Sequence, residues 1–390
     1  MAFARAVNTA GLSLAMTFLA IYVVETRGYP AWQLGLVLLG ANLCQSLSNA
    51  WAGNLSDRIG RRPLITGSLF VRSLVIAALG TQILFDAPLW SLALNMVVSS
   101  SLRGCFEPVA YALVADVATA EQRIPAFGLQ RMGVNLGWAL GPAVGGTLSL
   151  VIPYGAVFYV AAAGMIIAAI VTRSVEDPVK VRPSAQLIGP GGRTGSDLRG
   201  ALRDAWRAPR MRLLLAGTFL AALMHTQMFS TFSVYMTGEI GLRKADVGLL
   251  YTLNGLGVLF LQVPALALVR RFGVRAVLPW SSLVTALGFA LIGLAAGIPG
   301  GAVAMLAITA AEVMFAPAHQ TAIAEAADPA HRGRAYGVVG FAQMVGIAVA
   351  PLAGGILLDT IGHLHMAMWA VIACIGIVQA LCFAAFVKKV

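Results

Sequence analysis

Twelve stretches of this chain are each apolar over a length that suits a bilayer, and they follow one another with few interruptions. A helix needs roughly 20 apolar residues to cross ~30 Å of hydrocarbon. The runs lie at about 6–25, 33–53, 64–84, 89–114, 125–151, 156–174, 211–236, 247–269, 276–296, 302–326, 335–357 and 365–387. No soluble core uses so many. With 59% hydrophobic and 11% charged residues among 390, the chain lies outside the range of soluble domains. Inside a bilayer every backbone polar group must be satisfied internally, and runs of this length do so as helices. The first run starts within a few residues of Met1, without a basic leader region or a small-residue cleavage site. It reads as a span rather than a cleaved signal. The expected fold class is an all-α polytopic membrane protein of twelve transmembrane helices.

The net charge of +11 raises a nucleic-acid partner as an alternative, and its distribution argues against one. Of 27 Lys and Arg, 21 fall on one side of the alternating loops and 3 on the other, Arg27, Arg243 and Lys244. The remaining three, Arg72, Arg103 and Arg131, lie within spans. The positive-inside rule then places both termini in the cytoplasm of a multi-pass protein of the plasma (bacterial inner) membrane. Cys44, Cys105, Cys374 and Cys382 all sit in apolar runs, with no disulfide framework and no metal-ligand spacing.

An internal repeat organises the chain. In NLGWALGPAVGGTL, Gly137, Gly141 and Gly145 recur every fourth residue and make one bare helical stripe beside Pro142 and Gly146. Such a stripe admits another helix backbone closely. The pattern returns 209 residues later as Gly346, Ala350, Pro351, Gly354 and Gly355. At the same offset Pro108 meets Pro317 and Asp116 meets Glu325; around span 2 the offset is 213, where Gly35 meets Gly248 and Gly60 meets Gly273. Six helices are repeated in one orientation, as in transporters built from parallel repeats. The expected domains are a six-helix bundle over 1–174, a cytoplasmic linker over 175–210, and a second bundle over 211–390. In the linker, Leu198, Leu202 and Trp206 share one helical face and Arg199, Arg203 and Arg207 another, with Ser196 as N-cap. That pattern predicts an amphipathic helix on an anionic leaflet.

The loop after span 2, GNLSDRIGRRPLI, matches nearly position for position the G-x-L-a-D-r-x-G-r-k motif of the major facilitator superfamily. A weaker copy, ALVRRFGVRAV, follows span 8. The span-5 run resembles the G-x-x-x-G-P-x-x-G-G motif of that family's proton-driven efflux members. Arg103–Gly104 resembles their span-4 R-x-x-x-G motif with altered spacing. The resemblance covers the whole chain and looks nearest to the twelve-span drug:proton antiporter group. It implies two pseudo-symmetric bundles around a central cavity lined by spans 1, 4, 7 and 10. It also implies a conformational switch at Gly53, Asp57, Arg58, Gly60, Arg61 and Arg62, with Asp116 as the partner of Arg61. Gly137, Gly141, Pro142, Gly145 and Gly146 join that switch through an expected packing of spans 5 and 8.

A charge at bilayer depth is expensive and marks a functional candidate. Glu312 lies near the middle of span 10, and in sequence no basic residue stands within one helical turn of it. A desolvated carboxyl group favours its neutral form and can carry a proton, so Glu312 is the first candidate for proton coupling and Glu107 the second. Arg103 and Glu107 are four residues apart on span 4, and Arg131 lies at a similar depth on span 5, so a Glu107–Arg131 pair is expected. His225 and His319 could relay protons. Tyr22, Asn42, Gln45, Asn135, Gln227, Tyr235 and Asn254 join Arg103, Arg131, His225 and Glu312 as expected cavity residues. Arg72 has no obvious partner.

Two transport readings compete: proton-coupled efflux of an amphipathic organic solute, favoured by the span-5 run, and import or uniport of a small polar metabolite. An enzyme would need a catalytic constellation. The sequence contains no H-E-x-x-H, C-x-x-C or G-x-x-x-x-G-K-[ST], and no visible Ser–His–Asp grouping. The expected energy source is a proton gradient without a cofactor or metal. The expected partners are a small-molecule substrate, protons and lipid, without nucleic acid, and the expected state is a monomer.

Overall fold

A computed structural model describes residues 1–118, 122–175, 203, 206–326 and 332–388. Among them there is no strand, and the helices account for the expected all-α fold. The first six are α1 (Ala2–Ile21, continued by a π turn over Tyr22–Thr26), α2 (Ala31–Ile59), α3 (Arg61–Leu84), α4 (Leu89–Val117), α5 (Arg123–Leu148) and α6 (Ala156–Arg173). After α7 (Pro209–Gly238) comes one run of 49 residues, Lys244–Ile292. At 1.5 Å per residue an unbroken helix of that size would be about 73 Å long, more than two membrane thicknesses. It breaks at Gly273 (φ 75°, ψ 163°), and its arms 244–272 and 274–292 are α8 and α9. α10 (Ile298–Ala326), α11 (Arg332–Ile361) and α12 (His365–Lys388) complete the twelve. Of the expected amphipathic linker helix, Arg203, Trp206 and Arg207 are described and exposed, whereas Ser196, Leu198, Arg199 and Leu202 lie outside the described residues.

The repeat is visible in the backbone. Gly60 (φ 95°) and its mate Gly273 (φ 75°) separate α2 from α3 and α8 from α9. The positive φ explains why this position of the loop motif is glycine, since a Cβ is strained there. A second pair at the 213 offset, Gly28 (φ 67°) and Gly241 (φ 76°), closes α1 and α7. Those ends share one hydrogen-bond pattern. Arg27 N–H donates to Tyr22 O (2.9 Å) and Tyr29 N–H to Val23 O (3.1 Å). In the second half Ile240 N–H donates to Tyr235 O (3.2 Å) and Leu242 N–H to Met236 O (2.8 Å).

The chain forms two compact units. One contains α1, most of α2, α3–α6 and the start of α8 (Arg243–Gly255). Its core includes Ile65, Leu69, Phe106, Ala110, Leu113 and Ala168, all nearly inaccessible. The other contains α7, the rest of α8, α9–α12 and the start of α2 (Pro30–Gly35), with Leu214, Leu278, Ala322 and Phe383 in its core.

Within the first unit the α5 glycines divide between two neighbours. A Cβ on Gly137 would come within 2.5 Å of Ala6 O, one on Gly145 within 2.5 Å of the Phe18 ring, and one on Gly141 would collide with Ser13 Oγ and Ala10 O. The four-residue stripe therefore seats α1, and not span 8 as expected from sequence. The α5–α8 crossing is made by the adjacent face. There a Cβ on Gly248 would lie 2.5 Å from Pro142 O, Gly255 abuts Ala139, and a Cβ on Gly146 would lie 3.0 Å from Ala245 Cα. The second unit repeats this at the 209 offset: Gly346 and Gly354 meet α7, and Gly355 meets Ala31 at the start of α2. Pro142 and Pro351 both stand inside continuous helices. Membrane helices tolerate such prolines because neighbouring groups re-satisfy the freed carbonyls.

One contact breaks this symmetry. Asp359 at the end of α11 accepts hydrogen bonds from Ala31 N–H (3.0 Å) and Trp32 N–H (2.8 Å), capping α2 from another helix. The first-half mate of Asp359 is Leu150, which offers no such acceptor; α8 is instead capped locally, Arg243 N–H donating to Asp246 (3.2 Å). Asp359→Ala should cost about 0.5–2 kcal/mol, as N-cap losses do. It should lower the melting temperature of detergent-purified protein, and Asp359→Asn should recover part of the loss.

Candidate functional site

Charged side chains inside the first unit converge where α1, α2, α3 and α4 approach. Arg103 occupies the midpoint of α4. One turn later, Glu107 accepts a charge-assisted hydrogen bond from Arg5 Nη2 of α1 at 2.6 Å, and Arg103 Nε stands 3.7 Å from its other oxygen. The Arg5 guanidinium lies 3.8 Å from the centre of the Tyr111 ring, a cation–π contact, and Arg103 Nη1 donates to Gln45 Oε1 of α2 at 3.2 Å. Arg72 of α3, left without a partner by the sequence, is 2% exposed; it donates to Asn8 Oδ1 and to Ser99 Oγ (3.2 Å).

The expected Glu107–Arg131 pair is not formed. Gly133 lies on the same α5 face as the glycine stripe, packed on Ala2 of α1. Arg131, two residues earlier and therefore about 200° around the helix, points the other way and is exposed. Arg5 takes its place.

Tyr22 and Tyr235 are both buried and closed off by hydrogen bonds at helix ends. The Tyr22 phenol donates to Asp86 Oδ1 (2.8 Å) and accepts from Arg27 (3.0 Å), and its ring stacks on Tyr154. The Tyr22 oxygen holds the Arg27 guanidinium above its ordinary pKa. Burial pushes the Tyr154 phenol well above its usual range; it donates to Phe18 O. Tyr235 bonds His365 Nδ1 (3.0 Å) and lies edge-on to Trp369. Gln227 is likewise committed to packing, donating to Ala350 O of α11 (2.8 Å) and accepting from Thr231 (2.5 Å). Asp86, His365 and Trp369 complete these clusters with Arg27, which the sequence marks only as a loop charge.

The other expected site residues divide by environment. Glu312 is the midpoint of α10 and is half-buried, as Arg103 is the midpoint of α4. Asn42 and Asn135 are half-buried and Asn254 is buried. His225 is exposed, in edge contact with Phe229, whereas His319 is buried against Phe315 and bonded to Thr218 Oγ1 (2.7 Å).

In the loop motif, the buried Arg61 at the start of α3 forms an ion pair with Asp116 near the end of α4. Arg62 donates to Arg173 O (3.2 Å) and Val175 O (3.3 Å), capping the end of α6. Gly53 and Arg58 are exposed, and the Asp57 side chain lies outside the described part of the structure.

The Major Facilitator Superfamily profile matches residues 1–242 and 214–389. The chain is 26% identical over 359 residues to the uncharacterised MFS-type transporter YqjV of Bacillus subtilis, covering 90% of this chain and 83% of that one. It is 25% identical over 375 residues to the multidrug resistance protein MdtH of Cronobacter sakazakii, covering 94% and 88%. Among solved structures, that of the nucleoside transporter NupG superposes with a TM-score of 0.82 at 14% identity, over 99% of this chain and 98% of the other.

Proposed function

Because the chain belongs to the major facilitator superfamily, and so is an integral membrane transporter and no enzyme, we propose that it exports an amphipathic organic solute in exchange for protons. The observation that carries export is the α5 run, whose motif resembles that of the proton-driven efflux members. Its small residues seat α1 on one face and α8 on the other, so one helix couples to two neighbours that must shift during alternating access. The similarity to a multidrug resistance protein over 94% of the chain supports the same reading. The fold it shares with a nucleoside transporter carries no flux direction.

In this reading Glu312 carries the exchanged proton, both termini face the cytoplasm, and the Gly53–Arg62 loop with Asp116 is the inner-side switch. The test is a reconstituted vesicle with an imposed pH gradient and a fluorescent amphipathic dye. Export predicts dye movement against its own gradient toward the acidic side, abolished by an uncoupler. Accumulation on the alkaline side would make the protein an importer.

A further inference from the structure

We propose that the transported solute carries an acidic group, and that Arg103 is its anchor. This rests on the transporter reading and names the substrate class. The argument is a charge count. Arg5 and Arg103 share one carboxylate, Glu107, and among the described residues no other acidic side chain forms an ion pair with them or with the nearby Arg72. Asn8, Ser99 and Gln45 are neutral, so they solvate guanidinium groups without cancelling charge.

Glu107 belongs chiefly to Arg5, whose side chain is 4% exposed and whose contact is at 2.6 Å. Arg103 is left at 3.7 Å, outside hydrogen-bond distance, and its Nε is buried without an acceptor. At 21% exposure against 4% for Arg5, its side chain is also the more accessible of the two arginines. An excess of positive charge at bilayer depth is costly unless an anion or water compensates it. A planar guanidinium that no carboxylate engages within hydrogen-bond distance matches the carboxylate of a solute, which can take two parallel hydrogen bonds. Gln45 Oε1 accepts from Nη1 on the other side of the guanidinium. The exchanged proton is assigned elsewhere, to Glu312, so Glu107 stays paired with Arg5 while the solute anion meets Arg103.

The experiment measures binding of 2-naphthoate and of its neutral isostere 2-naphthamide to the purified full-length protein, by calorimetry in detergent at constant pH. Naphthoate should bind at least about tenfold more tightly than naphthamide, the scale of one charge-assisted contact. Arg103→Gln should reduce naphthoate to the naphthamide level and leave naphthamide unchanged. Glu107→Gln should tighten naphthoate, because it removes the competing carboxylate. Equal binding of the two probes to wild type, binding of neither, or an equal loss of both in Arg103→Gln would overturn the proposal. The dye flux described above does not depend on these probes, so proton-driven export could stand while the acidic-group assignment falls. Equally, naphthoate selectivity could stand while export falls.

Discussion

Gly141→Leu should leave little folded protein. A Cβ at this position already collides with Ser13 Oγ and the Ala10 carbonyl of α1, and leucine adds three more carbons. The neighbour cannot give way cheaply. Ser13 Oγ lies 3.1 Å from both Ala10 O and Gly137 O, so displacing it breaks the hydrogen bond that joins α1 to α5. Overpacking costs about 1–3 kcal/mol, occasionally more, and a lost hydrogen bond adds roughly 1 kcal/mol. The sum, up to about 4 kcal/mol, is most of the margin of a protein at the lower end of the ~5–15 kcal/mol range. Alanine provides the calibration, because the second-half mate of Gly141 is Ala350 and its helix still packs on α7 through Gly346 and Gly354. Gly141→Ala should therefore be purified at reduced melting temperature, whereas Gly141→Leu should aggregate or elute as unfolded material in size-exclusion chromatography. A leucine variant with the wild-type elution profile and melting temperature would show that the stripe does not seat α1.

The frame of this molecule was legible because bilayer physics is strict. Run lengths, charge asymmetry and the offsets of 209 and 213 led to twelve helices repeated in one orientation. The pair Gly28 and Gly241 also stands at the 213 offset, but only the backbone reveals their positive φ. The Arg61–Asp116 ion pair followed from the motif, whose pattern carries tertiary information. Arg5 was not legible as the partner of Glu107. At the fifth position of the chain it counts as an interfacial charge, and only the packing of α1 beside α4 brings it to a carboxylate 102 residues away. Arg131 failed for a related reason: depth along a helix can be estimated from sequence, but its rotation depends on which face the glycines surrender to a neighbour. Tyr22 and Tyr235 illustrate the same limit. Their polar tips suit a cavity, yet Asp86 and His365 at the ends of other helices claim them.

Glu312→Gln should abolish uphill transport. Glu312 stands at the midpoint of a 29-residue membrane helix, the depth at which an ionised side chain is most expensive. A carboxyl group there can alternate between an ionised form in an open, wet state and a neutral form in a closed, dry one. Carrying an ionised carboxylate through the closed state would cost several kcal/mol, so the site crosses only when a proton discharges it. Glutamine is permanently neutral and removes that requirement. Gradient-driven accumulation should fall to the level of empty vesicles, a loss of about 100-fold or more if the barrier it removes is worth ~3 kcal/mol. Downhill exchange should persist, and the folded state should survive because the change is isosteric. The most direct measurement is solute-induced proton movement in liposomes, followed with an internal pH dye after addition of a transported amphipathic dye. Wild type should release or take up protons on solute addition, and Glu312→Gln should show none while still exchanging solute. Equal proton signals from the two proteins would contradict the account and move the coupling site away from Glu312.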